Sequence, residues 1–149
     1  MTIPSPFTSC IDRQQKLKLL FAGCTTPELK YEKIIALGRQ LPPFPQELKL
    51  PGCLVKGCQS QMYLHSTLID GRVRFQVFSE ALISSGLAAL LLAVYNDESP
   101  ETVLGCPPLF LEELAIHGSL SPGRSNGLSS LFLRMKQDAV NFLIQATKT

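Results

Sequence analysis

Cys58 is the residue of this sequence whose surroundings best suit covalent chemistry. It lies in the segment Lys56-Gly57-Cys58-Gln59-Ser60. Gly57 provides the backbone freedom for a tight turn that projects the thiol outward. Exposed backbone N–H groups and the nearby Lys56 ammonium are expected to favour the thiolate, which is the nucleophilic form of cysteine. The alternative is a buried cysteine that acts as a small apolar side chain, and the local context leaves both interpretations open.

The other cysteines fit structural roles better. The chain has five cysteines, an odd number, and no export signal, which argues against a disulfide scaffold and for free thiols in a reducing compartment. Cys24 ends an amphipathic helix in phase with its apolar stripe, and Cys106 occupies a turn before Pro107. Cys10 belongs to the N-terminal segment. Cys53 could pair transiently with the reactive cysteine, but an inward strand position suits it better.

Two other kinds of site compete for Cys58. A metal site could draw on Cys53, Cys58, Cys106 and His117, but the sequence has no C-x2-C pair and matches no standard zinc module. We therefore expect no metal. A cysteine protease would need a histidine base, either His65 or His117, and no protease signature surrounds the cysteine.

Arg124 is the second candidate functional residue. The sequence places it in a polar, glycine-containing turn over residues 121–127, just before the predicted last helix. A cation at a helix N-terminus is electrostatically unfavourable, because that end carries partial positive charge. Arg124 is therefore either a solvated loop residue or a contact for an anionic partner.

Composition predicts one compact domain of 149 residues, with 45% hydrophobic and 17% charged residues. The net charge is +2 and the basic residues are scattered, which argues against a nucleic-acid surface. The longest apolar stretch, residues 86–95, is about half the length of a membrane span. We therefore expect a soluble cytoplasmic protein with no membrane partner.

Periodicity predicts an α+β domain with helices on one face of a small antiparallel sheet. Asp70-Gly71 predicts a hairpin turn, and residues 53–55 form a short apolar piece before the reactive segment. Predicted helices cover residues 12–21, 25–38, 80–95, 99–105, 108–116 and the segment after Gly127; predicted strands cover residues 61–69 and 73–78.

Four motifs, taken in order, resemble the SufE-type sulfur-acceptor family. They are Lys56-Gly-Cys58-Gln-Ser-Gln61, Tyr31-Glu-Lys-Ile-Ile-Ala-Leu-Gly38, Ser79-Glu-Ala-Leu-Ile-Ser-Ser-Gly86 and Leu120-Ser-Pro-Gly-Arg124-Ser-Asn-Gly127. The resemblance covers most of the chain. It implies a single domain over residues 1–149, with its core at about 11–145, and a three-stranded antiparallel sheet packed on helices, the fold shared with IscU scaffold proteins.

The resemblance also implies a function in iron–sulfur cluster assembly. Cys58 would take sulfane sulfur as a persulfide from a SufS-type cysteine desulfurase, stimulate that enzyme and pass the sulfur to an Fe–S scaffold complex. Lys56, Gly57, Gln59 and Ser60 would form the supporting loop. Arg124 would contact the desulfurase. The protein would need no cofactor of its own and would act as a carrier and activator, not as a stand-alone enzyme.

Three functional hypotheses therefore remain at the level of sequence. The first is the persulfide carrier. The second is an IscU-type Fe–S or zinc scaffold, although such scaffolds typically carry a Gly-Cys-Gly-Asp loop, whereas Gln59 follows Cys58 here. The third is a regulatory desulfurase partner without sulfur transfer. The sequence leaves open whether the chain forms a homodimer.

Overall fold

The computed structural model describes residues 6–116 and 120–147, which form an α+β fold with helices packed around a β-hairpin. His117, considered above as a metal ligand and helix end, lies outside these residues. The helices are α1 (Thr8–Leu20), α2 (Pro27–Arg39), α3 (Leu82–Tyr95), α4 (Pro100–Gly105), α5 (Phe110–Glu113) and α6 (Pro122–Thr147), and the strands are β1 (Met62–Ile69) and β2 (Arg72–Ser79).

The expected hairpin is confirmed. β1 and β2 pair antiparallel from Ile69↔Arg72 to Met62↔Ser79. Asp70 and Gly71 both have positive φ values, 52° and 78°, as a type I′ turn requires.

The expected third strand is wrong, because the described residues contain a two-stranded sheet. What remains of the third strand is an isolated bridge between Leu54 and Tyr63, where the Val55 N–H donates to the Met62 carbonyl at 2.9 Å. The segment cannot extend further in either direction. Pro51 opens a 3₁₀ turn on one side, and Gly57 turns the backbone away with a φ of 92° on the other.

The outer edge of β2 is capped by the chain that follows α3. The Asn96 carboxamide accepts from the Phe75 N–H at 2.6 Å and donates to the Phe75 carbonyl at 3.2 Å. One register step away, Val73 exchanges backbone hydrogen bonds with Asp97 and Glu98. These contacts satisfy strand-edge groups that would otherwise be open to pairing with another chain.

Several element boundaries differ from the sequence expectation. The helix predicted to begin at residue 25 begins at Pro27, and Thr26 caps it, because its hydroxyl accepts from the Leu29 N–H at 3.2 Å. The helix predicted to begin at residue 80 begins at Leu82, after β2 ends at Ser79. The predicted turn over residues 121–127 instead forms the first turns of α6, with Pro122 at its start.

The core lies between α3, the inner face of the hairpin and α6. From Gly86 onward most of α3 is buried, which confirms the buried central helix expected from its apolar circumference. Inward-facing Val73, Phe75 and Val77 of β2 pack on this core. Within residues 6–116 and 120–147 no helix is long and apolar enough to cross a membrane.

Helices α2 and α3 cross at a contact that only glycine permits. A methyl group on Gly86 would overlap the Ile34 backbone, and one on Gly38 would meet the Gly86 N and Cα at 2.6 and 2.9 Å. The opposed atoms are backbone, so the helices would have to separate to admit a side chain.

We expect Gly86→Ala to lower the free energy of unfolding by about 2–3 kcal/mol, since overpacking forces the two helices apart. Chemical denaturation measures the loss. Gly23→Ala is the matched control, because nothing lies within 4 Å of a methyl there; it should change stability by less than about 1 kcal/mol. Equal effects of the two substitutions would show that the crossing is not constrained by packing.

Candidate functional site

The reactive segment proposed from the sequence forms a loop that lies on the N-terminal half of α6. Gly57 has a φ of 92°, and a methyl on it would also be only 2.5 Å from the Ser130 hydroxyl oxygen. The loop therefore needs glycine here both for the turn and for its close approach to the helix. Gly127 and Gly123 lie one and two turns before Ser130 on the same face of α6.

Cys58 is half-buried at the contact between the loop and α6. Its Sγ donates a long hydrogen bond to the Gly127 carbonyl at 3.7 Å, and a methyl on Gly127 would lie 3.7 Å from the same sulfur. The thiol also packs against the hydrophobic core. Its exposure therefore lies between the two interpretations that the sequence left open, a thiol that projects outward and a buried apolar side chain.

Burial determines the acid–base state of the thiol. Desolvation raises the pKa of Cys58 above its ordinary value of 9.0, because the thiolate loses hydration that the protein does not replace. Desolvation is the cause of this shift, so the stabilisation of the thiolate expected from Lys56 does not set its direction, and Cys58 is a neutral thiol at pH 7. A neutral thiol is a poor nucleophile, so this conformation stores the group without activating it.

The other loop residues are placed as follows. The Gln59 side-chain amide lies flat against Gly123, where any larger residue would overlap it. Lys56 is exposed and lines a cavity of about 200 Å³ together with Ser130 and Arg134. Ser60 is partly buried at the end of the loop before β1. Gln59 thus packs directly against α6.

Arg124 lies in the first turn of α6 and is exposed. With Gly127 it lines a cavity of about 10 Å³ that is otherwise apolar apart from Ser84. The structure therefore brings Arg124 and the loop to the same end of α6. Arg124 belongs to the helix itself and not, as predicted, to a turn that precedes it. A cation at this position gains nothing from the helix dipole.

Sequence reasoning missed a group of polar contacts, made by Arg134 and Asp138, that holds the start of the loop. Arg134 of α6 donates to the Leu54 carbonyl at 3.2 Å and to the Gly52 carbonyl. It pairs with Asp138 at 3.1 Å, and Asp138 accepts from the Ser66 hydroxyl at 2.6 Å. This chain of contacts anchors the start of the loop to both α6 and β1. The only sequence signal was an arginine and an aspartate four residues apart on one helix.

Among the metal-ligand candidates that the structure describes, Cys53, Cys58 and Cys106 do not come together in one site. The part of the chain that the structure describes contains no cluster of three or more His, Cys, Asp or Glu side chains able to hold a metal. Cys106 is buried beside Cys10 and Gln14. Cys53 and His65 line a cavity of about 220 Å³ with Arg134 and Asp138, which groups His65 with Cys53 and not with Cys58.

Comparison with known proteins assigns the family. The family described as "SufE: Fe-S metabolism associated domain" matches residues 15–139. The chain belongs to the SufE family. It is 33% identical over 141 residues to an uncharacterised SufE-like protein of Synechocystis sp. PCC 6803, covering 95% of this chain and 84% of the relative.

The fold has a counterpart of known structure. The solution structure of a hypothetical protein from Thermus thermophilus is similar to this chain, with a TM-score of 0.73 and 26% sequence identity. The similarity covers 89% of this chain and 96% of the Thermus protein. Membership of the SufE family associates the protein with Fe–S metabolism, as the resemblance of its motifs implied.

We expect Gly123→Ala to increase the rate at which iodoacetamide alkylates Cys58 several-fold at pH 8. The added methyl displaces the Gln59 amide from α6. We expect the loss of this contact to loosen the loop and let water reach the thiol, so that the pKa of Cys58 falls toward its ordinary value. The alkylation rate should accordingly rise at a lower pH than in the wild type. Mass spectrometry of the peptide that contains Cys58 follows the reaction.

Ser129→Ala, an exposed change on the same helix, is the control and should leave the rate unchanged. In a Gln59→Ala background, Gly123→Ala should add nothing further, because its effect acts through the Gln59 side chain. Unchanged melting temperatures would exclude general unfolding as the cause. An additive effect of the two substitutions would contradict this account of the loop.

Proposed function

We propose that this SufE-family protein accepts sulfane sulfur on Cys58 from a SufS-type cysteine desulfurase and passes it to an Fe–S assembly scaffold. The observation that supports this most directly is the half-buried Cys58 thiol, held on a glycine turn against a face of α6 made of small residues. A nucleophile in that setting can be kept neutral at rest and then moved outward as a unit with its loop.

The transfer is a thiol–disulfide exchange reaction. The Cys58 thiol first gives up its proton, and the thiolate attacks the terminal sulfur of a persulfide on the donor. The donor's sulfur–sulfur bond breaks as the new one forms, and the donor cysteine leaves as a thiolate. Electrons balance without any added oxidant, so the step requires no cofactor on this chain.

Release of the loop is the activating event in this proposal. In the resting conformation burial raises the pKa of Cys58, and attack at neutral pH is slow. Movement of the loop to the desulfurase surface would restore hydration and bring the thiol to the donor. The loop could return after transfer, which would shield the persulfide from further oxidation.

Arg124 is proposed as a contact for the desulfurase at this end of α6. Its exposure and its unfavourable position at the helix N-terminus argue that it serves binding more than folding. An acidic patch on the partner would offset the local positive charge. Contact here, next to Gly127, would place the desulfurase over the loop that must open.

An IscU-type metal scaffold is the alternative function. A scaffold requires several convergent ligands, and a metal bound to Cys58 would occupy the thiolate that must attack sulfur. The placement of Cys106 beside Cys10 gives this alternative less support than the carrier has. A regulatory partner without transfer would need the loop but not the thiol.

We expect Cys58→Ser to fold normally and to accept no sulfur. After incubation with a SufS-type desulfurase and cysteine, the wild type should gain one sulfur, about 32 Da by the exchange chemistry. Mass spectrometry of the intact protein detects the adduct, and dithiothreitol should remove it. The substitution is nearly isosteric, so the melting temperature should stay within a few degrees of the wild type.

Cys53→Ser is the matched control and should retain the adduct. An adduct that persists in Cys58→Ser would move the acceptor to another cysteine. Near-stoichiometric zinc or iron that is lost on mutation of Cys58 would support the scaffold instead. Stimulation of the desulfurase by Cys58→Ser at the wild-type level would favour the regulatory function.

We expect Arg124→Ala to weaken binding to the desulfurase while costing less than about 0.5 kcal/mol of stability, since the helix dipole does not favour a cation there. Titration of desulfurase turnover against this protein should show half-maximal stimulation at a higher concentration. Arg124→Lys should recover part of the effect. A large fall in melting temperature with unchanged stimulation would mark Arg124 as structural.

A further inference from the structure

A second pair of thiols lies outside the loop, in the core between α1 and the connection from α4 to α5. Cys10 is 0% exposed and Cys106 is 2% exposed. The Gln14 amide nitrogen lies 3.7 Å from the Cys10 sulfur and 3.5 Å from the Cys106 sulfur. The Cys106 thiol also contributes to raising the pKa of Cys10. They are therefore neighbours, although they are far apart in the sequence.

The backbone on both sides of the pair is firmly held. The Gln14 amide donates to the Pro107 carbonyl at 3.0 Å, and its oxygen accepts from the Phe110 N–H at 3.1 Å. On the other side, the Tyr95 hydroxyl donates to the Cys106 carbonyl at 2.6 Å. These bonds hold α1 against the chain that carries Cys106, which keeps both thiols next to the same Gln14 amide.

We propose that Cys10 and Cys106 form an intramolecular disulfide when the protein meets a peroxide. This modification site does not involve Cys58, and it stands whether or not the chain carries sulfur. Its effect would be to join α1 covalently to the α4–α5 connection.

Access to the pair requires local opening of α1. Burial and the neighbouring Cys106 thiol raise the pKa of Cys10 to about 12, so the closed structure keeps it neutral and unreactive. Cys10 lies in the first turn of α1, however, and helix ends open more readily than helix interiors. Opening of this turn would expose the thiol and let it ionise at its ordinary pKa.

The chemistry balances in two steps. The exposed Cys10 thiolate attacks hydrogen peroxide, forming a sulfenic acid as the O–O bond breaks, and hydroxide leaves to become water with a proton. After α1 closes, the Cys106 sulfur attacks the sulfenic sulfur. The S–S bond forms, the S–O bond breaks, and the thiol proton leaves with the hydroxyl as a second water. Peroxide is the two-electron oxidant.

A triple variant that retains only the Cys10 and Cys106 thiols tests the site. It carries the substitutions Cys24→Ser, Cys53→Ser and Cys58→Ser. After exposure to hydrogen peroxide, denaturation and alkylation without reductant, we expect a monomer lighter by about 2 Da that takes up no alkyl group. Digestion should yield one peptide pair joined through Cys10 and Cys106. Dithiothreitol should restore both thiols.

The oxidised triple variant should melt several degrees higher than its reduced form, because the disulfide closes a long loop and restricts the unfolded chain. Adding Cys10→Ser or Cys106→Ser should abolish both the crosslink and the shift. The proposal is overturned if both thiols remain alkylatable after a peroxide dose that consumes Cys58 in the wild type. Disulfide-linked dimers, or a sulfinic acid on Cys10 without a crosslink, would overturn it as well.

Discussion

The close contact between the Cys58 loop and α6 is the interaction on which the candidate site depends. Each of three successive loop residues meets a small residue of the helix: Gly57 meets Ser130, Cys58 meets Gly127, and Gln59 meets Gly123. A larger residue at position 123 would displace the Gln59 side chain from α6, whereas a methyl at position 127 would make an ordinary contact with the Cys58 sulfur. The half-buried position of the thiol, and with it the raised pKa of Cys58, depends on this contact.

The rest of the fold serves to hold this contact in place. The hairpin supports the loop through the bridge between Leu54 and Tyr63, and Arg134 and Asp138 connect the start of the loop to α6 and β1. The buried helix α3 packs against the hairpin and against α6. The glycine crossing of α2 and α3 therefore affects the site only indirectly, through the stability of this core.

Burial gives the cysteines of this protein different kinds of protection. Cys58 is half-buried where its own loop meets α6, so its exposure to water depends on the position of that loop. Cys10 and Cys106 are fully enclosed, and only opening of the core can expose them. The same physical effect, loss of thiolate hydration, raises the pKa of both Cys58 and Cys10.

The sequence by itself determined the local features of this protein. The Asp70-Gly71 turn, the buried character of α3, the unusual setting of Cys58 and the family motifs all depend on residues close together in the chain. Only the tertiary structure decided that the third strand shrinks to a bridge, that α6 begins before Arg124 and that the pKa of Cys58 rises. The tertiary structure alone shows that Cys10 and Cys106 are neighbours. These outcomes depend on burial and on contacts between distant segments, which no local pattern encodes.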